Sequence, residues 1–380
     1  MTGLNDLLTH INGYLWGVPM IVLLLGTHIY LTIRLKFPQR YIFKAIRLSV
    51  KRDKESTGDV SQFSALATSL AGTIGTGNII GVATAVTMGG PGAVFWCWMT
   101  GVLGIATKYA EGLLAVKYRV QTEDGKMLGG PMYALERGLG CRWLGWTFAF
   151  CTIVASFFIG NMIQCNSISM LLEEGYHISP FATGITIALL TCAVIMFGVK
   201  GIARVCEGLV PFMAVFYVGG CLWLLGVNHA YVWPALRLIV TDAFTPQAAT
   251  GGFVGASMMI AMRYGIARGL FSNESGLGSA PIVAAAARTK NPVRQALVSS
   301  TSPFWDTVVI CAITGLVLVS SIMANPEIDS SAGATLTKVA FGQIPTFGPF
   351  VLTMGIVTFS FSTILGWSYL GEKALEYLFG

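Results

Sequence analysis

Long apolar stretches alternate with short polar ones along the whole chain. Each stretch is close to or above the roughly 20 residues that a helix needs to cross the hydrocarbon core of a bilayer. The pattern predicts nine membrane-spanning helices, numbered here as spans 1 to 9: residues 14–34, 62–90, 93–117, 145–172, 180–198, 208–227, 251–287, 296–323 and 347–371. An all-α polytopic membrane protein is therefore expected.

Two of the nine spans are interrupted by polar, glycine-rich sequence. Span 2 contains GTIGTGNIIG at residues 72–81, and span 7 contains FSNESGLGS at residues 271–279. Unpaired backbone groups are costly in lipid, so interrupted helices occur where protein or a watery cavity surrounds them. Paired interruptions at corresponding positions are typical of the binding sites of secondary transporters.

Composition and charge support this class and give the spans a direction. Of 380 residues, 54% are hydrophobic and 11% are charged, which is about half the charged fraction of ordinary soluble domains. Most of the 24 Lys and Arg fall in the tail after span 9 and in alternate loops: residues 34–60, 117–142, 199–207 and 288–295. Basic residues mark cytoplasmic loops. We therefore expect a multi-pass protein of the cell inner (plasma) membrane, with its N-terminus outside and the tail after span 9 in the cytoplasm.

Several other function classes are disfavoured by the residues present. The net charge of +6 lies in loops without the aromatic–basic interleaving of a nucleic-acid binder. The eight cysteines and four histidines are dispersed without CxxC or metal-ligand spacing, so the cysteines are interpreted as packing residues. No HExxH motif, Ser/His pair or pair of catalytic carboxylates lies at a plausible depth. We therefore expect neither an enzyme nor an organic cofactor.

The positions of the two breaks predict an internal repeat. Spans 2 and 7 are five spans apart and cross the membrane in opposite directions, which indicates inverted five-helix repeats. Residues 1–61 would then be an extra N-terminal helix and a basic linker, residues 62–228 the first repeat, and residues 229–380 the second. A complete second repeat needs spans 7 to 11. Because the chain supplies only spans 7 to 9, we expect this repeat to be truncated by two helices.

Residues 72–81 admit three interpretations besides a transporter site. A dinucleotide-binding fingerprint fails because Ile80 stands where a third glycine is required and no strand precedes it. The segment TIGTG at 73–77 loosely resembles a potassium-channel filter, but a filter needs four copies around one axis. Gly77 and Gly81 form a GxxxG step, which is typical of helix packing.

Packing alone does not require the polar residues Thr73, Thr76 and Asn78 in the same segment. An unwound segment exposes carbonyls that can bind a cation, while the N–H groups of the following half-helix attract a carboxylate. The two halves of one break can thus serve both a coupling ion and a zwitterion. A secondary transporter is the leading prediction, and a cation channel that uses residues 73–77 as its filter is the alternative.

Four charged residues within the spans are candidates for function. Lys108 and Glu111 are three residues apart and are expected to pair on one helical face. Asp306 is a candidate for a cation site or for a partner at a cytoplasmic gate. Glu274, at the second break, could cap the following half-helix or bind a cation.

Two amides and two hydroxyls complete the candidates within spans. Asn161 and Gln164 lie in span 4, where they either make interhelical hydrogen bonds or face the breaks. Ser362 and Thr363 in span 9 could offer hydroxyl oxygens to a monovalent cation. Isolated Ser and Thr more often bond their own helix backbone, so this pair alone is a weak signal.

Three long segments, residues 64–119, 263–287 and 361–380, closely resemble the alanine/glycine:cation symporter family. The resemblance covers essentially the whole chain. It implies a leucine-transporter-like fold of five-plus-five inverted repeats preceded by one extra helix. It also implies Na⁺-coupled uptake of alanine or glycine, with H⁺ as a possible alternative coupling ion and membrane lipid as the surroundings. The family carries further spans, in accord with the expected truncation.

The resemblance further implies which residues form the site. The implied substrate contacts are Gly75, Thr76, Gly77, Asn78, Gln164, Phe271, Ser272 and Trp367. The implied Na⁺ ligands are the carbonyls of Ala71 and Ile74 and the hydroxyls of Ser362 and Thr363.

Overall fold

The computed structural model describes residues 2–51, 58–245, 258–328, 330 and 333–380. The described chain begins with six α-helices: α1 Thr2–Leu15, α2 Val18–Arg34, α3 Ile42–Val50, α4 Gln62–Thr73, α5 Val82–Gly89 and α6 Gly92–Lys117. The hairpin that follows α6 consists of β1, Val120–Gln121, paired antiparallel with β2, Met127–Leu128.

The rest of the described chain is also helical. Its central helices are α7 Pro131–Leu139, α8 Arg142–Ala155, α9 Ile163–Tyr176, α10 Pro180–Ile195, α11 Gly198–Val227 and α12 His229–Asp242. The last six are α13 Met258–Asn273, α14 Ser279–Ala285, α15 Pro292–Ser299, α16 Ala312–Ala324, α17 Leu336–Phe341 and α18 Phe347–Phe379. Three π-helical segments, Gly77–Gly81, Ser156–Met162 and Phe304–Cys311, each run directly into the α-helix that follows.

Five helical segments of the described chain are long and apolar enough to cross a membrane: His10–Arg34, Arg142–Tyr176, Gly198–Val227, Pro292–Ala324 and Phe347–Phe379. The pair Gln62–Thr73 and Gly77–Gly89 meets the same test as one span bent by 54°. These helices fit an integral membrane protein. Two further helices, α6 with 26 residues and the shorter α10 with 16, occupy two more of the predicted spans.

The structure departs from the sequence prediction at several boundaries. Residues 199–207, expected as a loop, are the first turns of α11, which is thus longer than the predicted span. The short helices α3, α7, α12 and α17 were not predicted as separate elements because they lie in segments interpreted as loops. Residues 251–257, the predicted start of span 7, lie outside the described residues.

The largest core cluster joins α4, α11 and α18. The Tyr217 ring on α11 lies 5.1 Å from the Phe359 ring on α18, and both side chains are fully buried. A Cβ atom at Gly355 would lie 2.9 Å from Tyr217 Cδ2, so a glycine permits this close approach. The packing places the middle of α18 against the first break.

Candidate functional site

The first break is present and narrower than predicted. Helix α4 ends at Thr73, Ile74 is extended with φ −76° and ψ 98°, and the π-helical turn begins at Gly77. Only Ile74 and Gly75 are non-helical, although residues 72–81 were expected to be unwound. Gly72 stays in α4, and Gly77 and Gly81 are the two ends of the π-helical turn. Such a turn is a frequent feature of functional sites.

Helix α18 supplies hydrogen-bond donors to carbonyls that the break leaves unpaired. Ser362 Oγ lies 3.4 Å from Ala71 O, and Thr363 Oγ1 lies 3.1 Å from Ile74 O. Trp367 Nε1 donates to Gly72 O at 3.2 Å. The four residues implied as Na⁺ ligands are thus brought together, with two carbonyls facing two hydroxyls. Both hydroxyls also donate to Phe359 O within their own helix.

The backbone N–H groups after the break point to two amide side chains. Gly75 N donates to Asn78 Oδ1 at 2.9 Å, and Thr76 N donates to Gln164 Oε1 at 3.3 Å. Gln164 therefore faces the break, as one of its two interpretations required. Asn161 instead donates to Ser156 O and lies beside Ser368 of α18. The two amides of span 4 have different roles in the packing.

The second break lies between α13 and α14, at residues 274–278. Gly276 and Gly278 have φ of 91° and 84°, a region that favours glycine, and Glu274 also has a positive φ. Glu274 accepts a hydrogen bond from the Ser279 hydroxyl. Helix α14 begins after Gly278 without a side-chain cap, so of the two interpretations of Glu274, a helix cap or a cation ligand, the first is wrong.

The carboxylate that binds the backbone of the second break belongs to Glu111 of α6. Glu111 Oε1 accepts from Gly276 N at 3.0 Å and from Gly278 N at 3.2 Å. Lys108 Nζ donates to Glu274 O at 3.0 Å and lies 3.6 Å from Glu111 Oε2. The predicted Lys108–Glu111 pair is present, and it holds the loop of the second break. Sequence reasoning missed this role because nothing in the local pattern relates α6 to that loop.

Asp306 joins the two breaks. Its Oδ1 accepts from Asn78 Nδ2 at 2.7 Å, and its Oδ2 accepts from Ser272 Oγ at 2.9 Å and Thr307 Oγ1 at 2.6 Å. The carboxyl group is fully buried. Cys311, interpreted from sequence as a packing residue, lies 3.3 Å from Asn78 Nδ2. Asp306 therefore has a fully buried carboxyl group that accepts from three neutral donors, one of them at each break.

Two aromatic rings flank the breaks. A Cβ atom at Gly77 would lie 3.5 Å from Phe271 Cδ1, so this ring packs against the first break. A Cβ at Gly160 would lie 2.3 Å from Trp367 Cβ, which shows how closely α18 approaches the π-helical turn of span 4. A cavity of about 200 Å³ lies on one side of both rings, and its wall includes Phe148, Cys151, Thr152, Phe271, Leu277 and Trp367.

All eight residues implied as substrate contacts therefore lie at or beside the two breaks. Gly75, Thr76, Gly77 and Asn78 form the first break and its following turn, and Phe271 and Ser272 precede the second. Gln164 and Trp367 contact the first break from spans 4 and 9. Among the described residues, no group of three or more His, Cys, Asp or Glu forms a metal centre.

Comparison with known proteins identifies the family. The model of the sodium:alanine symporter family matches residues 1–380. The chain belongs to this family. It is a transporter and not an enzyme. It is 50% identical to an uncharacterized transporter of Haemophilus influenzae, over 99% of this chain and 83% of that protein. It is 48% identical to the sodium/alanine symporter AgcS of Methanococcus maripaludis, over 99% of this chain and 84% of that protein.

The fold is similar to that of a solved transporter. The crystal structure of MhsT in complex with L-phenylalanine matches with a TM-score of 0.58 at 14% identity, over 84% of this chain and 78% of MhsT. At this identity the likeness concerns the fold alone. The expectation of a helical, leucine-transporter-like membrane fold is confirmed at this level.

Proposed function

We propose that this family member is a Na⁺-coupled symporter that carries alanine or glycine into the cell by alternating access. The observation that carries the proposal is the facing arrangement of Ser362 and Thr363 with the carbonyls of Ala71 and Ile74, at 3.4 and 3.1 Å. Hydroxyl and carbonyl oxygens are hard ligands of the kind that alkali cations take. A sodium ion bound there would bridge the break and α18.

The amino-acid substrate would bind on the other side of the same break. The N–H groups of Gly75 and Thr76, which now bond Asn78 and Gln164 at 2.9 and 3.3 Å, are suited to a carboxylate at the start of a half-helix. The oxygens of the buried Asp306 carboxyl group, which bond Asn78 and Ser272, are acceptors suited to an ammonium group. Both charged groups of a zwitterion would therefore have partners at or beside the first break.

The small size of the substrate follows from the close packing of the site. A Cβ atom at Gly75 would lie 2.6 Å from Thr363 Oγ1 and 3.2 Å from Gln164 Oε1, so little space separates these groups. The rings of Phe271 and Trp367 close the apolar side. Glycine and alanine fit such a site better than larger amino acids. The printed name of the Methanococcus relative, a sodium/alanine symporter, supports the same substrate class.

Coupling would arise because both ligands bind the non-helical residues of span 2. Sodium at Ala71 and Ile74 would fix these residues and so raise the affinity for the amino acid. Linkage then requires that the amino acid raise the affinity for sodium by the same factor. Alternating access would follow from an inverted pair of five-helix repeats, with the N-terminus outside and the basic loops in the cytoplasm.

The proposal is tested with the purified protein in proteoliposomes. Uptake of ¹⁴C-alanine is expected to follow an inward Na⁺ gradient and to be abolished when choline replaces sodium. Glycine should compete and leucine should not. Uptake that ignores the sodium gradient would contradict the proposal. Unitary currents in planar bilayers without any amino acid would instead favour the alternative, a cation channel.

A further inference from the structure

The segment that precedes the first broken helix pairs with the segment that follows the second. Asp59 N and Val60 N both donate to Ala286 O, at 2.9 and 3.2 Å, and Arg288 N donates to Val60 O at 2.8 Å. Val60 and Ala287 thereby form a parallel β-bridge. Arg288 Nε adds a bond of 3.2 Å to Gly58 O. The backbone itself connects the two broken spans at this end.

Arg119, which follows α6, binds the same segment from the other side. Its Nη1 donates to Ala285 O at 3.0 Å and to Ala287 O at 2.8 Å, and its Nη2 donates to Thr289 O at 2.6 Å. Charged hydrogen bonds are about twice as strong as neutral ones. Burial lowers the pKa of the Arg119 guanidinium, and attraction to the Asp59 carboxylate opposes this shift. Arg119 thus donates hydrogen bonds to carbonyls at the C-terminal end of α14, where the helix dipole favours a cation.

These contacts lie where both half-helices end on the side of the basic loops. Helix α4 begins at Gln62 and α14 ends at Ala285, so the paired segments are their direct extensions. Arg294 Nε donates to Gln62 Oε1 at 2.8 Å and adds a further link. Separating α4 from α14 at this end therefore requires these bonds to break together.

A polar cavity of about 420 Å³ lies next to the paired segments. Its wall carries charges of both signs: Asp59, Asp124, Lys126, Lys200, Glu372 and Lys373. A wall of this kind accommodates water and a zwitterion, unlike the apolar surface that faces lipid. Asp59 belongs both to the paired segments and to the wall of this cavity.

We propose that the paired segments 58–60 and 286–289, closed by Arg119, are a latch that must open before the substrate leaves on the side of the basic loops. Arg119 is a positioning residue, because it acts through the carbonyls it binds and not through the substrate. The 420 Å³ cavity is the vestibule into which the released amino acid passes. The direction of release rests on the proposed function, whereas the existence of the latch does not.

Two native cysteines on α11 provide the test. Cys206 is fully buried next to Glu207, whose Oε1 accepts from Ser61 Oγ at 3.2 Å, directly after the paired segment 58–60. Cys221 is equally buried on the same helix, about 22 Å away along its axis. The purified protein is treated with N-ethylmaleimide, and labelling of each cysteine is followed by peptide mass spectrometry. Opening of the latch should expose Cys206 and leave Cys221 protected.

We expect Arg119→Gln to raise the labelling rate of Cys206 by about fivefold or more. Arg119→Lys should raise it less than Arg119→Gln, because the ammonium keeps the positive charge although it lacks the planar fork of the guanidinium. Arg137→Gln, which removes the same charge from an exposed position on α7, should change neither cysteine. Gly58→Ala is an independent variant, since a Cβ there would lie 2.6 Å from Ala287 O and push the segments apart.

The outcomes separate the latch from the proposed function. Faster labelling of Cys206 in both Arg119→Gln and Gly58→Ala, slowed again by Na⁺ with alanine, supports both. If labelling is faster in these variants but Na⁺ and alanine do not slow it, the result supports the latch and contradicts the proposed Na⁺-coupled transport of alanine. If either variant unfolds, as judged by thermal melting, the other decides. Unchanged Cys206 labelling in a folded variant overturns the latch, and so does a parallel rise at Cys221.

Discussion

Asn78 Nδ2 donates a hydrogen bond of 2.7 Å to Asp306 Oδ1, and both side chains are fully buried. This bond joins the turn after the first break to the π-helical segment Phe304–Cys311. Asn78 Oδ1 meanwhile accepts from Gly75 N, and Asp306 Oδ2 accepts from Ser272 Oγ. One amide and one carboxylate thus connect both breaks, and the shape of the site depends on them.

Replacing Asn78 with alanine removes a donor from a buried carboxylate and an acceptor from Gly75 N. We expect alanine affinity to fall by at least about tenfold and the free energy of unfolding to fall by about 2–4 kcal/mol. Calorimetric alanine binding in the presence of Na⁺ and thermal unfolding measure the two effects. Asn166→Ala, at an exposed amide of α9, serves as the control. Unchanged affinity in Asn78→Ala would move the substrate site elsewhere.

Removing the hydroxyls of α18 should weaken sodium binding. In Ser362→Ala and Thr363→Ala, the proposed cation loses one of its oxygen ligands, and the sodium concentration for half-maximal alanine binding should rise by about tenfold or more. The maximal binding at saturating Na⁺ should change little. Ser368→Ala is the matched control, because Ser368 Oγ bonds Ile364 O within the same helix. An equal sodium dependence in all three variants would argue against this cation site.

A methyl group at Gly75 should block the site without unfolding the protein. Its Cβ would lie 2.6 Å from Thr363 Oγ1, so one of the two groups must shift. Gly72→Ala is the matched control, since nothing lies within 4 Å of a Cβ there and alanine favours the helix. Alanine binding should be lost in Gly75→Ala and retained in Gly72→Ala. Binding that survives in both variants would show that Gly75 does not contact ligand or ion.

Shortening Trp367 should relax the size limit on the substrate. Trp367→Leu joins the site to the cavity of about 200 Å³ beside it, and valine or methionine should then compete with ¹⁴C-alanine. Loss of the large ring should also destabilise the protein by about 2–4 kcal/mol. Trp223→Leu, at an exposed position on α11, should leave the selectivity unchanged. If Trp367→Leu and the wild type have the same selectivity, the Trp367 ring does not limit the size of the substrate.

Lys108 and Glu111 should be energetically coupled. Lys108→Met leaves the Glu111 carboxylate without its buried cation, and we expect a loss of about 3–5 kcal/mol in unfolding free energy. The double variant Lys108→Met with Glu111→Gln should recover part of this loss, because the unpaired charge is gone. A thermal-unfolding double-mutant cycle measures the coupling. Strictly additive losses would mean that the pair does not act as a unit.

Much of the fold and site was predictable because the signals are local. Glycines and polar residues at 72–81 indicated the first break, but the predicted break was wider than the one in the structure. Gly77 lies against Phe271 and Gly81 against Arg268, both on α13, and both glycines stay in the π-helical turn, so the break is confined to Ile74 and Gly75. The resemblance to a known family selected the residues of the implied Na⁺ site, which composition alone could not have done.

Other relationships had no local signal. Glu111 and Gly276 are separated by 165 positions, and nothing in either segment indicates that a carboxylate of α6 binds the backbone of the second break. The same holds for Arg119, whose charge marked only a cytoplasmic loop. The pairing of residues 58–60, in a predicted loop, with 286–288, at the end of predicted span 7, was not predicted, because a single β-bridge leaves no periodic pattern in the sequence.

By itself, the sequence determined the membrane class, the location of two breaks and the family, and it predicted a direction for the spans. These depend on properties of short segments: apolar length, loop charge and residues that disrupt a helix. Only the tertiary structure decided which groups meet. Ser362 reaches Ala71 across 291 positions, and Asn78 reaches Asp306 across 228. Such contacts are set by how helices pack around shared small residues, and packing is a property of the whole assembly of helices.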